Sequence, residues 1–376
     1  MHIGSTPIFL WDIFCQVIDN HGDLGVCWRL AVDLAQRGQR VRLWIDQPEA
    51  LAWMAPAGAQ GVETRLWTRP IDMTGISPGD VLVEAFGCDI PAEFSVAYVQ
   101  AIHADPRACH WINLEYLSAE SYVERCHTLP SPIMQGPGKG LTKHFFYPGF
   151  TPRTGGLLRE DDLLAHQRQF DRRHWLTQQG IAWQGERLIS LFCYEPEALD
   201  DLLDSLAKSP DRSKLLVTAG RATAAVQQAL KRRTASQPNW NSQAHLSWAY
   251  LPTLTQIEFD HLLWCCDVNF VRGEDSLVRA IWAGKALVWQ IYPQDDDAHH
   301  AKLHAFLDWL QAPVSLRQCH DRWNAQTSSG QSPPKNSVFP AIQTDSWQSA
   351  VLSARERLLQ QDDLATALIQ FVGKTD

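Results

Sequence analysis

Apolar positions in this chain fall into short, nearly continuous runs, separated by longer stretches in which they recur every three or four residues. The first run, residues 7–18, is too rich in β-branched and aromatic side chains for a lone helix and is expected as a central parallel strand. It ends in Asp19-Asn20-His21-Gly22-Asp23-Leu24-Gly25. Residues 26–38 then carry Val26, Leu30 and Leu34 on one helical face, with Gly38 as the stop. The pattern predicts strands at 40–46, 62–67, 80–86 and 110–116, and a short helix at 49–54. Residues 129–156 are irregular and rich in proline and glycine, and 158–179 are charged and helical in spacing, so the crossing between two domains is expected here. The alternation then restarts with strands at 188–194, 214–219, 245–251, 267–271 and 286–292. Helices are predicted at 196–209, 222–233, 255–266 and 298–311, a surface loop at 328–336, and a closing helical segment at 346–372.

Strands alternating with helices at this spacing imply an α/β protein with doubly wound parallel sheets. A chain of 376 residues exceeds the size at which one core keeps growing. The expected division is a first domain at 1–155, a connection at 156–184, a second domain at 185–345, and a helical segment at 346–376 packing back across both. Two such halves suggest a cleft between them. No G-x-G-x-x-G follows the first strand, which demotes a dinucleotide-binding domain.

Composition narrows the function classes. A net charge of -9 argues against nucleic-acid binding through phosphates. Nine cysteines without a C-x-x-C pair or zinc spacing fit a reducing cytoplasm. No run approaches membrane-spanning length, so no membrane partner is expected.

Candidate chemistry clusters where strands run into helices. Asp267 to Ser276 is apolar and β-branched in its first half, and opens a helix with acids in its second. A helix start offers unpaired amides, and Arg272 adds a planar fork suited to phosphate. Glu274 and Asp275 are anions at that same helix start and oppose a phosphate, so an acidic cap beside a surface arginine remains the alternative. Asp19 and Asp23 bracket Gly22 at the end of the first strand, where two carboxylates can aim at one point, or Asp23 can simply cap the next helix. Tyr194 and Tyr292 end strands of the second half and can stack on a base, or serve ordinary packing. Asp295, Asp296, Asp297, His299, His300 and His304 have a metal-like density but suit an acidic helix start better, so no metal is expected.

Taken in order, Asp19 to Leu30, Ile112 to Ser118, Tyr194-Glu195-Pro196, Asp267 to Ser276 and Ile291-Tyr292-Pro293-Gln294 resemble the elongation factor P arginine rhamnosyltransferase family along nearly the whole chain. The resemblance implies a GT-B glycosyltransferase fold of two Rossmann-like domains facing a cleft. It also implies inverting transfer of L-rhamnose from dTDP-β-L-rhamnose to an arginine of elongation factor P, with no cofactor and no metal. For such a transfer Asp19 is the choice of general base, with Asp23 supporting it or pairing with the rest of the guanidinium, while by the resemblance Glu274 contacts the donor. Arg272, Gly273, Asp275 and Ser276 form the diphosphate subsite, Tyr194 and Tyr292 flank the thymine, and Gln256 is a candidate for its edge. Asn20, Gly22, Asn113 and Glu115 are acceptor-side candidates. A nucleotide-sugar epimerase and a non-catalytic partner of a translation factor are the competing functions.

Overall fold

The computed structural model describes residues 7–17, 21–104, 109–293, 298–325 and 339–374. It divides the chain into two compact units, residues 1–161 with 358–376, and residues 162–357. The boundary falls inside the segment expected as a connection, and the chain returns to the first unit at Leu358.

In the first unit the order is β1 (Leu10–Cys15), α1 (Gly22–Gln36), β2 (Arg40–Ile45), α2 (Leu51–Met54), β3 (Val62–Leu66), β4 (Val81–Ala85), α3 (Ala92–Ala104) and β5 (His110–Leu114). Next come α4 (Tyr122–Cys126), β6 (Pro130–Pro132) and β7 (Thr142–Phe146). They build a seven-stranded sheet in the order β3-β2-β1-β4-β5-β7-β6, parallel except where β6 runs against β7. Period-two alternation sorts the core. Trp11, Ile13 and Cys15 pack with α1 on one face, and Phe14 packs with Trp44, Phe94 and Tyr98 on the other. Burial on both faces explains why the central strands β1 and β4 are apolar at most positions.

Asp12 is a charged residue within that sheet, being only 1% exposed. Its carboxylate accepts from Arg42 at 2.7 and 2.6 Å, from Trp44 Nε1 at 2.8 Å and from the Gly79 amide at 2.7 Å. Gly79 must lack a side chain, because a Cβ would sit 2.3 Å from the Leu10 carbonyl oxygen.

The second unit contains α5 (Leu163–Gln169), α6 (Arg172–Gln178), β8 (Arg187–Leu191), α7 (Leu199–Lys208), β9 (Ser213–Val217), α8 (Arg221–Ser236), β10 (Leu246–Tyr250) and α9 (Gln256–Cys265). It continues through β11 (Val268–Arg272), α10 (Gly273–Ala283), β12 (Ala286–Gln290), α11 (Ala298–Leu310), α12 (Val314–Asn324) and α13 (Thr344–Leu359). Its five strands are all parallel, in the order β10-β9-β8-β11-β12. The buried pair Asp260 and Arg279 fastens α9 to α10 through bonds of 2.9 and 2.7 Å.

Several elements differ from the sequence expectation. Helix α1 begins at Gly22 rather than Val26, because the Gly25 amide already bonds the His21 carbonyl at 2.9 Å. The helical stretch after residue 158 is two helices, the second capped by Asp171, which accepts from the His174 amide at 3.0 Å. The irregular proline-rich region supplies β6 and β7, with prolines on an edge strand where missing donors cost least. The closing segment also breaks in two, and α14 (Leu364–Gly373) is capped by Asp363. Leu364, Ala365, Leu368 and Val372 of α14 enter the same core as β1 and α1. Helices α3 and α12 were not anticipated, and the loop expected at 328–336 lies outside the described residues.

Helix α12 closes the exposed side of β12. His320 Nε2 accepts from the Trp289 amide at 3.0 Å, and Asn324 accepts from the Ile291 amide at 2.9 Å while donating to the Trp289 carbonyl at 2.9 Å. The accepting Nε2 leaves the proton on Nδ1, which donates to the Leu316 carbonyl at 3.0 Å. Burial pulls the His320 pKa down to about 4, so the ring is neutral in the native state.

Two stability predictions follow from these buried groups. Asp12→Ala strands the Arg42 guanidinium, and urea denaturation is expected to show a loss of about 3 to 5 kcal/mol. For His320 the unfolded ring, with its ordinary pKa near 6.5, binds a proton that the native ring refuses. Stability is therefore present above that value and declines as pH falls towards 4, by up to roughly 1.4 kcal/mol per unit from this group. His320→Gln should be less stable than the wild type at pH 7.5 but show a shallower decline of melting temperature between pH 6.5 and 4.5.

Candidate functional site

In the second unit the candidate residues meet at the carboxyl ends of β8, β11 and β12. Arg272 ends β11 and occupies the cap position of α10 in an extended conformation. Its Nη1 donates to the Cys193 carbonyl at 3.3 Å, and its guanidinium lies 4.6 Å from the Phe192 ring centroid and 4.4 Å from that of Tyr194. Burial depresses its pKa, yet an arginine stays protonated in a protein. Among the described residues it has no carboxylate within ion-pair distance, so this half-buried positive charge rests directly against a carbonyl and two aromatic rings.

Gly273 follows with φ of +69°, a left-handed conformation that glycine adopts without steric cost. Its carbonyl accepts from Trp289 Nε1 at 2.9 Å. The charge opposition raised by Glu274 is answered here: its carboxylate pairs with Lys302 Nζ of α11 at 2.5 Å. Asp275 stands in the same first turn. The Ser276 hydroxyl donates back to the Arg272 carbonyl and is buried, so that oxygen's proton is already committed.

Tyr194 is held by its amide, which donates to Gln290 Oε1 at 2.8 Å, and only 7% of its surface is exposed. Its ring meets the exposed ring of Tyr292 edge to face, with centroids 5.7 Å apart at 80°. Rings so placed touch each other and leave no parallel slot for a base between them. Gln256 is the first residue of α9, directly after Thr255, whose side chain accepts from the Glu258 amide at 3.1 Å. A cavity of about 340 Å³ lies beside the tyrosine pair, with Glu195, Arg221, His299 and Asn324 in its wall.

Phe192 and Arg221 were not among the candidates from sequence. Arg221 opens α8, packs 4.9 Å from the Tyr194 ring centroid, and bonds Glu195 through Nε at 2.8 Å and through Nη2. The one available signal was its place just after a predicted strand.

In the first unit His21, Gly22 and Asp23 form the start of α1 immediately beyond β1; Asp19 and Asn20 lie outside the described residues. The Asp23 carboxylate accepts from the Tyr116 hydroxyl at 3.4 Å, and the Tyr116 ring stacks on Phe86 at 4.8 Å. Phe86 holds a positive φ of 58°, backbone strain of the kind that collects at functional sites. A Cβ on Gly22 would meet nothing within 4 Å, so the approach to this turn is open. Asn113 donates to Glu115 Oε1 at 2.8 Å, and burial raises the Glu115 pKa. The Asn113 Oδ1 is buried without a hydrogen-bond partner among the described residues.

No group of three or more His, Cys, Asp or Glu side chains among the described residues can hold a metal ion. Asp295, Asp296, Asp297 and Gln294 lie outside them, while His304 sits 3.8 Å from Asp321 and the buried His299 stacks against His300 at 4.2 Å.

A family model described as Elongation-Factor P (EF-P) rhamnosyltransferase EarP matches residues 11–373. A protein-arginine rhamnosyltransferase of Pseudomonas putida is 42% identical over an alignment covering 96% of this chain and 98% of that protein. A solved structure, described as the structural basis for EarP-mediated arginine glycosylation of translation elongation factor EF-P, superposes with a TM-score of 0.63 at 31% identity. That superposition covers 96% of this chain and 98% of the other. MurG of Acinetobacter baumannii, at 11% identity and a TM-score of 0.51 over 98% of this chain and 100% of its own, shares the fold alone. With two Rossmann-like sheets of GT-B type and a match running almost from end to end, the chain belongs to the EarP family of rhamnosyltransferases and is a glycosyltransferase.

Proposed function

We propose that this enzyme transfers L-rhamnose from dTDP-β-L-rhamnose to an arginine side chain of elongation factor P, with inversion at the anomeric carbon. The observation that carries the donor half is Arg272: a half-buried guanidinium at the start of α10 with no carboxylate in ion-pair distance among the described residues suits an anion, and a diphosphate is such an anion. The acceptor half rests on family membership and on the carboxylates at the end of β1.

Free arginine, with a pKa above about 12, would cost roughly 7 to 9 kcal/mol to deprotonate at neutral pH. The proton must therefore leave as the new bond forms. In this reading an arginine nitrogen attacks the anomeric carbon from the face opposite the nucleotide. The bond from that carbon to the diphosphate oxygen breaks, dTDP departs with the electron pair, and Asp19 takes the proton from nitrogen. Asp23, steadied by Tyr116, supports Asp19 or pairs with the rest of the guanidinium. Glu274, held by Lys302, turns its charge from the phosphates and towards the sugar. Asn20, Gly22, Asn113 and Glu115 are proposed on the acceptor side. Arg272, the α10 amides and the residues Gly273, Asp275 and Ser276 take the leaving diphosphate without a resident metal. Tyr194, Tyr292 and Gln256 remain the proposed contacts of the nucleoside; with the two tyrosines edge to face, a base stacks on an exposed face of Tyr292 rather than between the rings. No helix among the described residues is long and apolar enough to cross a membrane, and the nine free cysteines suit the reducing cytoplasm in which the reading places the enzyme.

Intact-mass analysis of elongation factor P incubated with the enzyme and dTDP-β-L-rhamnose, with a chelator present, is expected to show one added deoxyhexose on one arginine. Turnover of the sugar nucleotide without acceptor modification would instead mark an epimerase, and binding of elongation factor P without chemistry would mark a non-catalytic partner. Asp19→Asn should lower transfer by ~10²-fold or more while the dTDP dissociation constant stays within a fewfold of the wild type. Arg272→Ala should do the reverse in binding, weakening dTDP by roughly ten- to hundredfold, as read by calorimetry.

A further inference from the structure

Arg272 is not the only cation on Tyr194. The sheet order places β9 and β11 on either side of β8, so Arg272, ending β11, and Arg221, following β9, reach the ring from opposite neighbours, at 4.4 and 4.9 Å. The Glu195 carboxylate bonds Arg221 and, among the described residues, does not bond Arg272. The side chains of that pair are 48% and 53% exposed, and an exposed ion pair holds its partners weakly. Arg221 spends Nε and Nη2 on Glu195 and lines the 340 Å³ cavity. Two guanidiniums thus flank one ring, and the carboxylate bonded to Arg221 is exposed and replaceable. A nucleoside diphosphate brings more than one negative charge, which Arg272 alone does not match.

We infer that Arg221 is a second anion-binding group of the donor site, and that Glu195 occupies it as an exchangeable stand-in until the diphosphate arrives. The inference rests on the donor reading proposed above and adds to it a residue and a competitor. Tyr194 then acts as a spacer that holds two guanidiniums against its ring, at 4.9 and 4.4 Å. Binding exchanges one ion pair for another: Glu195 swings to water, and the phosphate oxygens take up its hydrogen bonds.

The two members of the pair must then act in opposite directions, which a merely structural ion pair does not do. Calorimetric titration with dTDP at low and moderate sodium chloride is expected to show binding weakened about tenfold in Arg221→Ala, intermediate in Arg221→Lys, and tightened by roughly two- to tenfold in Glu195→Gln. The salt dependence of the dissociation constant should be shallower in Arg221→Ala than in the wild type. Melting curves of each variant establish that it is folded. Weakening in both Arg221→Ala and Glu195→Gln would overturn the inference in favour of a structural pair, and so would unchanged binding in folded Arg221→Ala. Failure of the wild type to bind dTDP would overturn the donor reading and this inference together, whereas wild-type binding with an indifferent Arg221 would remove this inference alone.

Discussion

The donor-side groups depend on how β12 is held. It is the last strand of its sheet, and an edge strand left open is both labile and adhesive. Here the missing neighbour is replaced by two side chains of α12, His320 and Asn324, which bond the backbone of Trp289 and Ile291. With its backbone fixed, β12 holds what lies beside it. The Trp289 indole fixes the carbonyl of Gly273 at the turn into α10, and Gln290 fixes the amide of Tyr194 at the end of β8. Three strand ends are thus registered to one another through side-chain contacts from a single strand. The neutral state of His320 is part of that arrangement, since a protonated Nε2 could not accept from the Trp289 amide.

Electrostatics around α10 follow a simple division. The negative charge most able to repel a phosphate, Glu274, is matched by Lys302 on a different helix. The positive charge most able to attract one, Arg272, is left against carbonyl and aromatic surfaces. Guanidinium tolerates this better than ammonium does, because its charge is delocalised and its planar faces stack on rings. The opposite choice is made in the core of the first unit, where Arg42 meets Asp12 in a fully satisfied pair. Arg42 serves the fold, and the half-buried Arg272 is kept available.

Much of this was legible in the sequence, for reasons that can be named. Strands buried on both faces, such as β4 and β12, are apolar at all but one position and announce themselves. The residues from Arg272 to Ser276 sit where a short strand gives way to an acidic helix start, a junction visible without coordinates. Helix α12 was hard to see because His320 and Asn324, which bond the edge of β12, interrupt the buried face formed by Leu316, Cys319 and Trp323. Helix α3 carries too weak a periodicity to stand out, and the prolines that suggested a loop at 130–132 mark an edge strand. Arg221 was illegible because its meaning depends on which strand neighbours β8, and sheet order is not written locally. The two tyrosines were found, but not their mutual angle, which is set by packing.

The return of the chain at Leu358 has a consequence for how the protein is made. The core of the first unit includes Leu364, Leu368 and Val372 of α14 beside residues from β1 and α1. An emerging nascent chain therefore displays the α1 surface unprotected while the whole second unit is being synthesised. The second unit is contiguous in sequence and can close by itself as it leaves the ribosome, whereas the first, though begun earlier, is finished last. Its vulnerability to chaperones, proteases and premature termination is accordingly concentrated at a segment more than three hundred residues from the strand it protects.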